Sequence, residues 1–160
     1  MKKRVLLLLP LFLGACSNSG ESPVIKIEKL YVKAESDSEK GEDYALKVGD
    51  KVDAFLFLDG NGAELKTFKL QKDNDEALAT KLVYQKTEVS TEGNLTDEEN
   101  GQLRFKDGVT QTRIMVRATI AHVDKNGDVR LEFYLSSKAE CEGAQEEIGL
   151  KTKVDDEKEE

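Results

Sequence analysis

Between residues 24 and 135, apolar side chains recur at alternate positions in short runs, with Gly, Asn and Asp in the gaps. A period of two is that of strands burying one face, so the chain reads as all-β. The run 24–32 is rich in β-branched residues and places Ile25, Ile27 and Tyr31 on one face, with Lys29 snorkelling between the last two. Runs 44–48 and 51–58 flank a Gly49-Asp50 turn, and the doubly apolar stretch 54–58 predicts a central strand covered on both sides. Asp59-Gly60-Asn61-Gly62 is the strongest short-range hairpin signal and is expected to fold 64–70 back on the strand before it. The stretch 80–89 is expected as a strand, in preference to a short helix capped by Asp73-Asn74-Asp75-Glu76. Residues 90–101 read as a polar loop with one helical turn at 96–99, and Gln102-Leu103-Arg104-Phe105 leads into a Lys106-Asp107-Gly108 turn. The clearest pair is 113–120, with Ile114, Val116, Ala118 and Ile120 inward, and 129–135, with Val129, Leu131, Phe133 and Leu135 inward. It is expected as a hairpin closed by Asp124-Lys125-Asn126-Gly127, with Arg117 and Arg130 outside and pairing Glu132. About seven short strands with such turns predict an antiparallel immunoglobulin-like β-sandwich.

The two ends follow other rules. Lys2, Lys3 and Arg4 precede a nine-residue apolar run, 5–13. A membrane span needs about twenty residues, so this segment reads as a cleaved signal. The next residues, Leu13-Gly14-Ala15-Cys16, resemble the lipobox of bacterial lipoprotein precursors. That resemblance implies cleavage between Ala15 and Cys16 and a diacylglyceryl group on the Cys16 sulfur, a membrane anchor through N-terminal lipid. Ser17, in place of Asp, leans toward the outer membrane, while the single acid in 17–22 leaves the periplasmic and surface faces both open. The expected organisation is a signal peptide over 1–15, a lipidated flexible tether over 16–22, the sandwich over 23–153, and a disordered acidic tail over 154–160. With its anchor, its Val48-Gly49-Asp50 turn and its Leu58-Asp59-Gly60 corner, the chain resembles small Bacteroidetes lipoproteins with immunoglobulin-like sandwiches. The resemblance spans about residues 24–150; it implies a fold and a location and no activity.

Charge and composition narrow the function by exclusion. The 160 residues carry 24 Lys and Arg against 32 Asp and Glu, a net charge of −8, and losing Lys2, Lys3 and Arg4 leaves 21 cations and −11. Nucleic acid is a poor partner for such a chain, because binding there runs on basic side chains displacing counterions. His122 is the single histidine, at a strand end, so neither a two-histidine metal set nor a Ser-His-Asp constellation is expected, and no Gly-x-Ser-x-Gly elbow is present. Asp124, Asn126 and Asp128 alternate as in a calcium loop, but glycine falls at the fourth loop position and Leu135 stands where a bidentate Glu belongs. Asp59 and Asn61 fail in the same way, although a weak site shared between the two loops stays open. With Cys16 lipidated, no disulfide is expected, and Cys141, between Glu140 and Glu142, reads as an inert thiol. Tyr31, Tyr44, Tyr84 and Tyr134 form a candidate contact surface, weighed against ordinary core roles.

The sequence therefore points to a non-enzymatic binding or positioning module in the cell envelope, with no cofactor and no metal. Its partner is an envelope protein or a glycan, and its contact loops 59–62 and 124–128 lie at one end of the sandwich. Two alternatives stand beside it: a lipocalin-like carrier with strands closed around an apolar ligand, and an acidic inhibitor of a basic envelope enzyme.

Overall fold

Alternating burial organises the chain into nine strands, seen in a computed structural model that describes residues 21–41 and 43–155. They are β1 (Val24–Lys33), β2 (Glu39–Lys40), β3 (Lys51–Asp59), β4 (Leu65–Lys72), β5 (Leu78–Val83), β6 (Gln102–Arg104), β7 (Gln111–Ile120), β8 (Gly127–Ser137) and β9 (Ala144–Thr152). Two sheets form, with strand orders β2-β1-β3-β7-β5 and β6-β4-β8-β9, and every pairing within them is antiparallel. The expected antiparallel sandwich is thus what the chain adopts.

The core is the layer between the sheets. Ala54, Leu56 and Leu58 of β3 and Ile114, Val116, Ala118 and Ile120 of β7 line one wall. Phe68 and Leu70 of β4 with Leu131, Phe133 and Leu135 of β8 line the other, and the rings of Phe68 and Phe133 stack 6.2 Å apart. Side chains fill this interior, and four strands, β2, β5, β6 and β9, stand at open sheet edges. The closed barrel of the carrier alternative is therefore not formed.

Both expected hairpins are instead crossings between sheets. The Asp59-Gly60-Asn61-Gly62 corner carries the chain from β3 in one sheet to β4 in the other. Both edges of β3 are taken, by β1 and β7, so β4 pairs elsewhere, with β6 and β8. Only glycine fits the corner at position 60, where a Cβ would lie 1.9 Å from the Ala63 carbonyl oxygen. Likewise β7 spends its edges on β3 and β5, and β8 on β4 and β9. The inward rows read for these two strands are correct, but they face each other across the core. Their outer charges also separate: Arg117 binds Asp53, Arg130 lies 3.6 Å from Glu147, and Glu132 accepts from the Tyr134 hydroxyl.

Other elements differ in ways the backbone explains. A bulge between Ile27 and Lys29 slips the β1–β3 register, so Val32 turns inward and Tyr31 outward. Residues 44–48 form no strand and touch β9 only through the Leu46–Thr152 bridge. The stretch 80–89 splits into β5 and a 3₁₀ turn at Lys86–Glu88, and Asn74 caps a turn before β5 by accepting from the Glu76 and Ala77 amides. Phe55 and Phe57 are half-buried on an open face, so β3 is covered on one side. Strand β9 was not foreseen. Cys141 is disulfide-bonded here, against the expectation of no disulfide. Segment 1–20, with Ala15 and Cys16, and residues 156–160 of the acidic tail lie outside the described residues.

The segment leading into β3 is pinned by one buried carboxylate. Asp50, 4% exposed, accepts from the Glu35 and Lys47 amides, each at 2.9 Å, beside a turn in which Gly49 holds φ at +92°. Asp50→Ala leaves both amides unpaired, and we expect a loss of about 2–4 kcal/mol in unfolding free energy. Amide exchange should rise most at Glu35 and Lys47. Unchanged protection at those two amides would show that the segment is held by other contacts.

Candidate functional site

The outer face of the five-stranded sheet is the most organised exposed surface. Antiparallel register places directly opposed residues side by side on one face, and here the register draws rows across the sheet. Val24, Asp59 and Gln111 form the first row, Lys26, Phe57 and Arg113 the second, and Lys29, Phe55, Met115 and Val83 the third. Tyr31, Asp53, Arg117 and Lys81 form the fourth, and Glu39, Lys33, Lys51, Thr119 and Ala79 the fifth. Half-buried rings run down the middle. Tyr31 meets Phe55 edge-on at 5.7 Å, and the Arg113 guanidinium lies 4.7 Å above the Phe57 ring.

Cations outnumber carboxylates on this face. Lys26, Lys29, Lys33, Lys51, Lys81, Arg113 and Arg117 face Glu28, Asp37, Glu39, Asp53 and Asp59, a surplus of two on a chain whose net charge is −8. Asp53 is the hub. Its carboxylate side chain is 3% exposed, accepts a bidentate pair from Arg117 at 2.6 and 2.9 Å, and takes a third bond from Lys33 at 3.2 Å. The Arg117 hydrogen bonds hold the Asp53 carboxyl below the usual carboxylate range, outweighing the upward push of burial, and Lys33 adds to them. Arg113 is paired with Glu28 at 3.0 Å and Lys51 with Asp37 at 3.1 Å. Lys26, Lys29 and Lys81 are exposed and carry no ion pair among the described residues. These three are the cations of the face that no ion pair holds.

The loops expected to make contacts do not form one surface. Asp59 sits at the Gln111 end of the sheets, whereas Gly127 opens β8 opposite Thr152 at the other end. Loops 59–62 and 124–128 therefore cap opposite ends of the sandwich, which also removes the shared calcium site. Each has a local job. The Asp59 carboxylate accepts from the Asn61 amide at 2.8 Å and from Gln111, and Asn61 clasps the incoming N-terminal segment through Glu21 and Ser22. Asn126 accepts from the Val154 amide at 3.0 Å, Asp128 pairs in register with Lys151, and Asp124 lies in the exposed crossing loop. Among the described residues no cluster of His, Cys, Asp and Glu is arranged to hold a metal. His122 is exposed at the end of β7.

The tyrosines are scattered too. Tyr31 lies on the cationic face; Tyr44 packs on the core near Asp50, with Lys40 5.7 Å from its ring. Tyr84 packs on the core and donates to Glu98, and burial followed by that carboxylate pushes its hydroxyl up to about 12. Tyr134 lies on the opposite sheet. A polar furrow of about 700 Å³ opens beside β4, with Lys69 and Lys72 facing Asp75, Glu99 and Glu132, so it presents no single charge to a ligand.

Fold and face together define a class: a two-sheet antiparallel β-sandwich that leaves one cationic, aromatic-centred sheet face open. The chain belongs to the DUF5035 family, a domain of unknown function, which it matches over residues 16–152. A search of curated protein sequences returns no match. Among solved structures, the N-terminal domain of PorA aligns with a TM-score of 0.40 and 8% identity over 79% of this chain and 98% of its own. The C-terminal domain of the Streptococcus pyogenes antigen I/II-family protein AspA aligns at 0.43 and 16% over 77% and 45%.

Because ionised Asp53 is favoured in the fold, its contribution is present in full above pH ~4 and fades as pH falls through its lowered pKa. Asp53→Asn should cost about 2 kcal/mol at neutral pH. Denaturant titrations of both proteins across pH should show that gap constant down to pH ~4.5 and narrowing below ~4. A gap as wide in acid as at neutrality would mean the charge is not what Arg117 and Lys33 recognise.

Proposed function

We propose that this chain is an exported lipoprotein whose β-sandwich is a non-enzymatic binding or positioning module of the cell envelope. One observation carries the reading: a basic n-region, a nine-residue apolar run and Leu13-Gly14-Ala15-Cys16 stand in register. The family match supports it, because its first residue is Cys16, the expected N-terminus after cleavage. Among the described residues no helix is long and apolar enough to cross a membrane; in this reading lipid on Cys16 supplies the attachment. Ser17 directs the anchor to the outer membrane. The binding role draws on the open face of the five-stranded sheet, where Lys26, Lys29 and Lys81 surround half-buried rings. Its partner is an anionic envelope component and not nucleic acid, which the acidic loops repel.

Cys16→Ala should move the protein from the membrane fraction to the soluble fraction of lysed cells, and a variant that stays with membranes would remove the proposal. The chain has two cysteines, so the disulfide seen at Cys141 and lipid on Cys16 are alternatives, and the proposal holds for the anchored protein only with that bridge not formed. Mass spectrometry of the N-terminal peptide from purified membranes should find Cys16 carrying diacylglyceryl. A Cys16–Cys141 disulfide in that material would contradict the anchor outright.

A further inference from the structure

We infer that the outer face of the five-stranded sheet lies against the bilayer that holds the anchor and binds its anionic lipid headgroups. The inference rests on the lipid anchor proposed above. Two further observations point to the membrane as occupant: the length of the tether with the place where it joins the fold, and the distribution of charge.

Cys16 and Glu21 are five residues apart, at most about 18 Å of chain. At Glu21 the chain reaches the fold at the first row of the face, where the Glu21 amide donates to the Asn61 carbonyl at 3.1 Å. Val24, 46% exposed, then opens β1 beside Asp59. The anchored domain therefore stays within about 18 Å of the headgroup layer and can meet it with its tether-side tip or with the flank that starts there. The tip is the wrong sign. Its loops carry Asp59, Glu64, Asp107, Glu140 and Glu142 against Lys106 and Lys138, and Lys138 is already paired with Glu64 and Asp107. The flank has the right sign, with Lys26 and Lys29 on its first strand and Lys81 on its last. Exposed Val24 and Val83 lie among these lysines, where short apolar side chains can meet the interface.

Size favours a membrane over a protein partner. Four strands and five rows cover roughly 19 by 34 Å. That falls short of the roughly 800 Å² that each side of a stable protein interface buries. A headgroup surface sets no such threshold, because each cation near it contributes separately, about fivefold in partitioning. The tether keeps the face at high effective concentration, so modest intrinsic affinity suffices.

The test uses the mature chain bearing Cys16→Ser, which has no lipid, so its outcome is independent of whether the cell lipidates Cys16. Co-sedimentation is measured with vesicles of phosphatidylcholine alone and of phosphatidylcholine mixed with phosphatidylglycerol. We expect binding to the mixed vesicles only, abolished by high salt. Lys26→Gln/Lys29→Gln/Lys81→Gln should weaken it about 100-fold, by three cations at about fivefold each. The matching Lys→Arg triple should retain binding, and Lys69→Gln/Lys151→Gln on the other sheet should leave it unchanged. Equal binding to neutral vesicles, no binding to anionic ones, or a triple variant that binds like the parent would each overturn the inference. Binding to an acidic polysaccharide without binding to vesicles would overturn it in favour of a glycan partner.

Discussion

The packing of two inward rows on each wall of the core fixes the rest of this structure. β3 and β7 press Ala54, Leu56, Leu58, Ile114, Val116 and Ala118 against Phe68, Leu70, Leu131 and Phe133 of β4 and β8. Each of these four central strands needs a neighbour on both edges, so strands consecutive in sequence are sent to different sheets. Apolar area removed from water drives that arrangement at about 25 cal/mol per Å². It also determines what remains outside: one outer face per sheet, and two tips built of loops.

Charge sorts along the same division. Carboxylates gather in loops, where Asp50, Asp73 and Asp97 accept backbone hydrogen bonds. Lysines and arginines gather on the sheet, where the Lys33 ammonium lies 6.0 Å from the centre of the Tyr31 ring and the Arg113 guanidinium 4.7 Å from that of Phe57. Asp53 makes this tolerable. Its buried carboxylate sits between Arg117 and Lys33 and neutralises the centre of the face, leaving the surplus at the flanking lysines. An acidic protein thus presents a cationic side.

Local periodicity revealed faces but not partners. The inward rows of β7 and β8 were legible because burial alternates without a break through 112–120 and 129–137. Their assignment to opposite sheets was not, since a period of two says which way a side chain points and nothing about which strand lies beside it. In β1 the Glu28 bulge inverted the phase, and no local residue type announces a bulge that lacks glycine. Strand β9 was hidden because Glu146, Glu147 and Gly149 interrupt its apolar residues, leaving Ile148 and Leu150 to mark the inward face. The segment 44–48 shows the converse: its strand-like composition serves a buried Leu46 and one bridge.

The cationic face was the harder object to read. Lys26, Phe57 and Arg113 are neighbours only through register, and nothing in the sequence near any of them indicates the other two. Turn residues are conspicuous in sequence, which drew attention to Asp59, Asn61, Asp124, Asn126 and Asp128. Their conspicuousness reflects the backbone conformations and caps that turns require, as Asn61 shows with φ at +52° and its clasp on Ser22.

Lysine footprinting on anionic vesicles addresses the central claim most directly. The mature protein is acylated with a water-soluble reagent, with and without phosphatidylglycerol-containing vesicles, and each lysine is followed by mass spectrometry. The account expects Lys26, Lys29 and Lys81 to be protected together, with Lys69 and Lys151 reacting as before. Protection of Lys69 and Lys151, or of Lys106 and Lys138 at the tether-side tip, would contradict it.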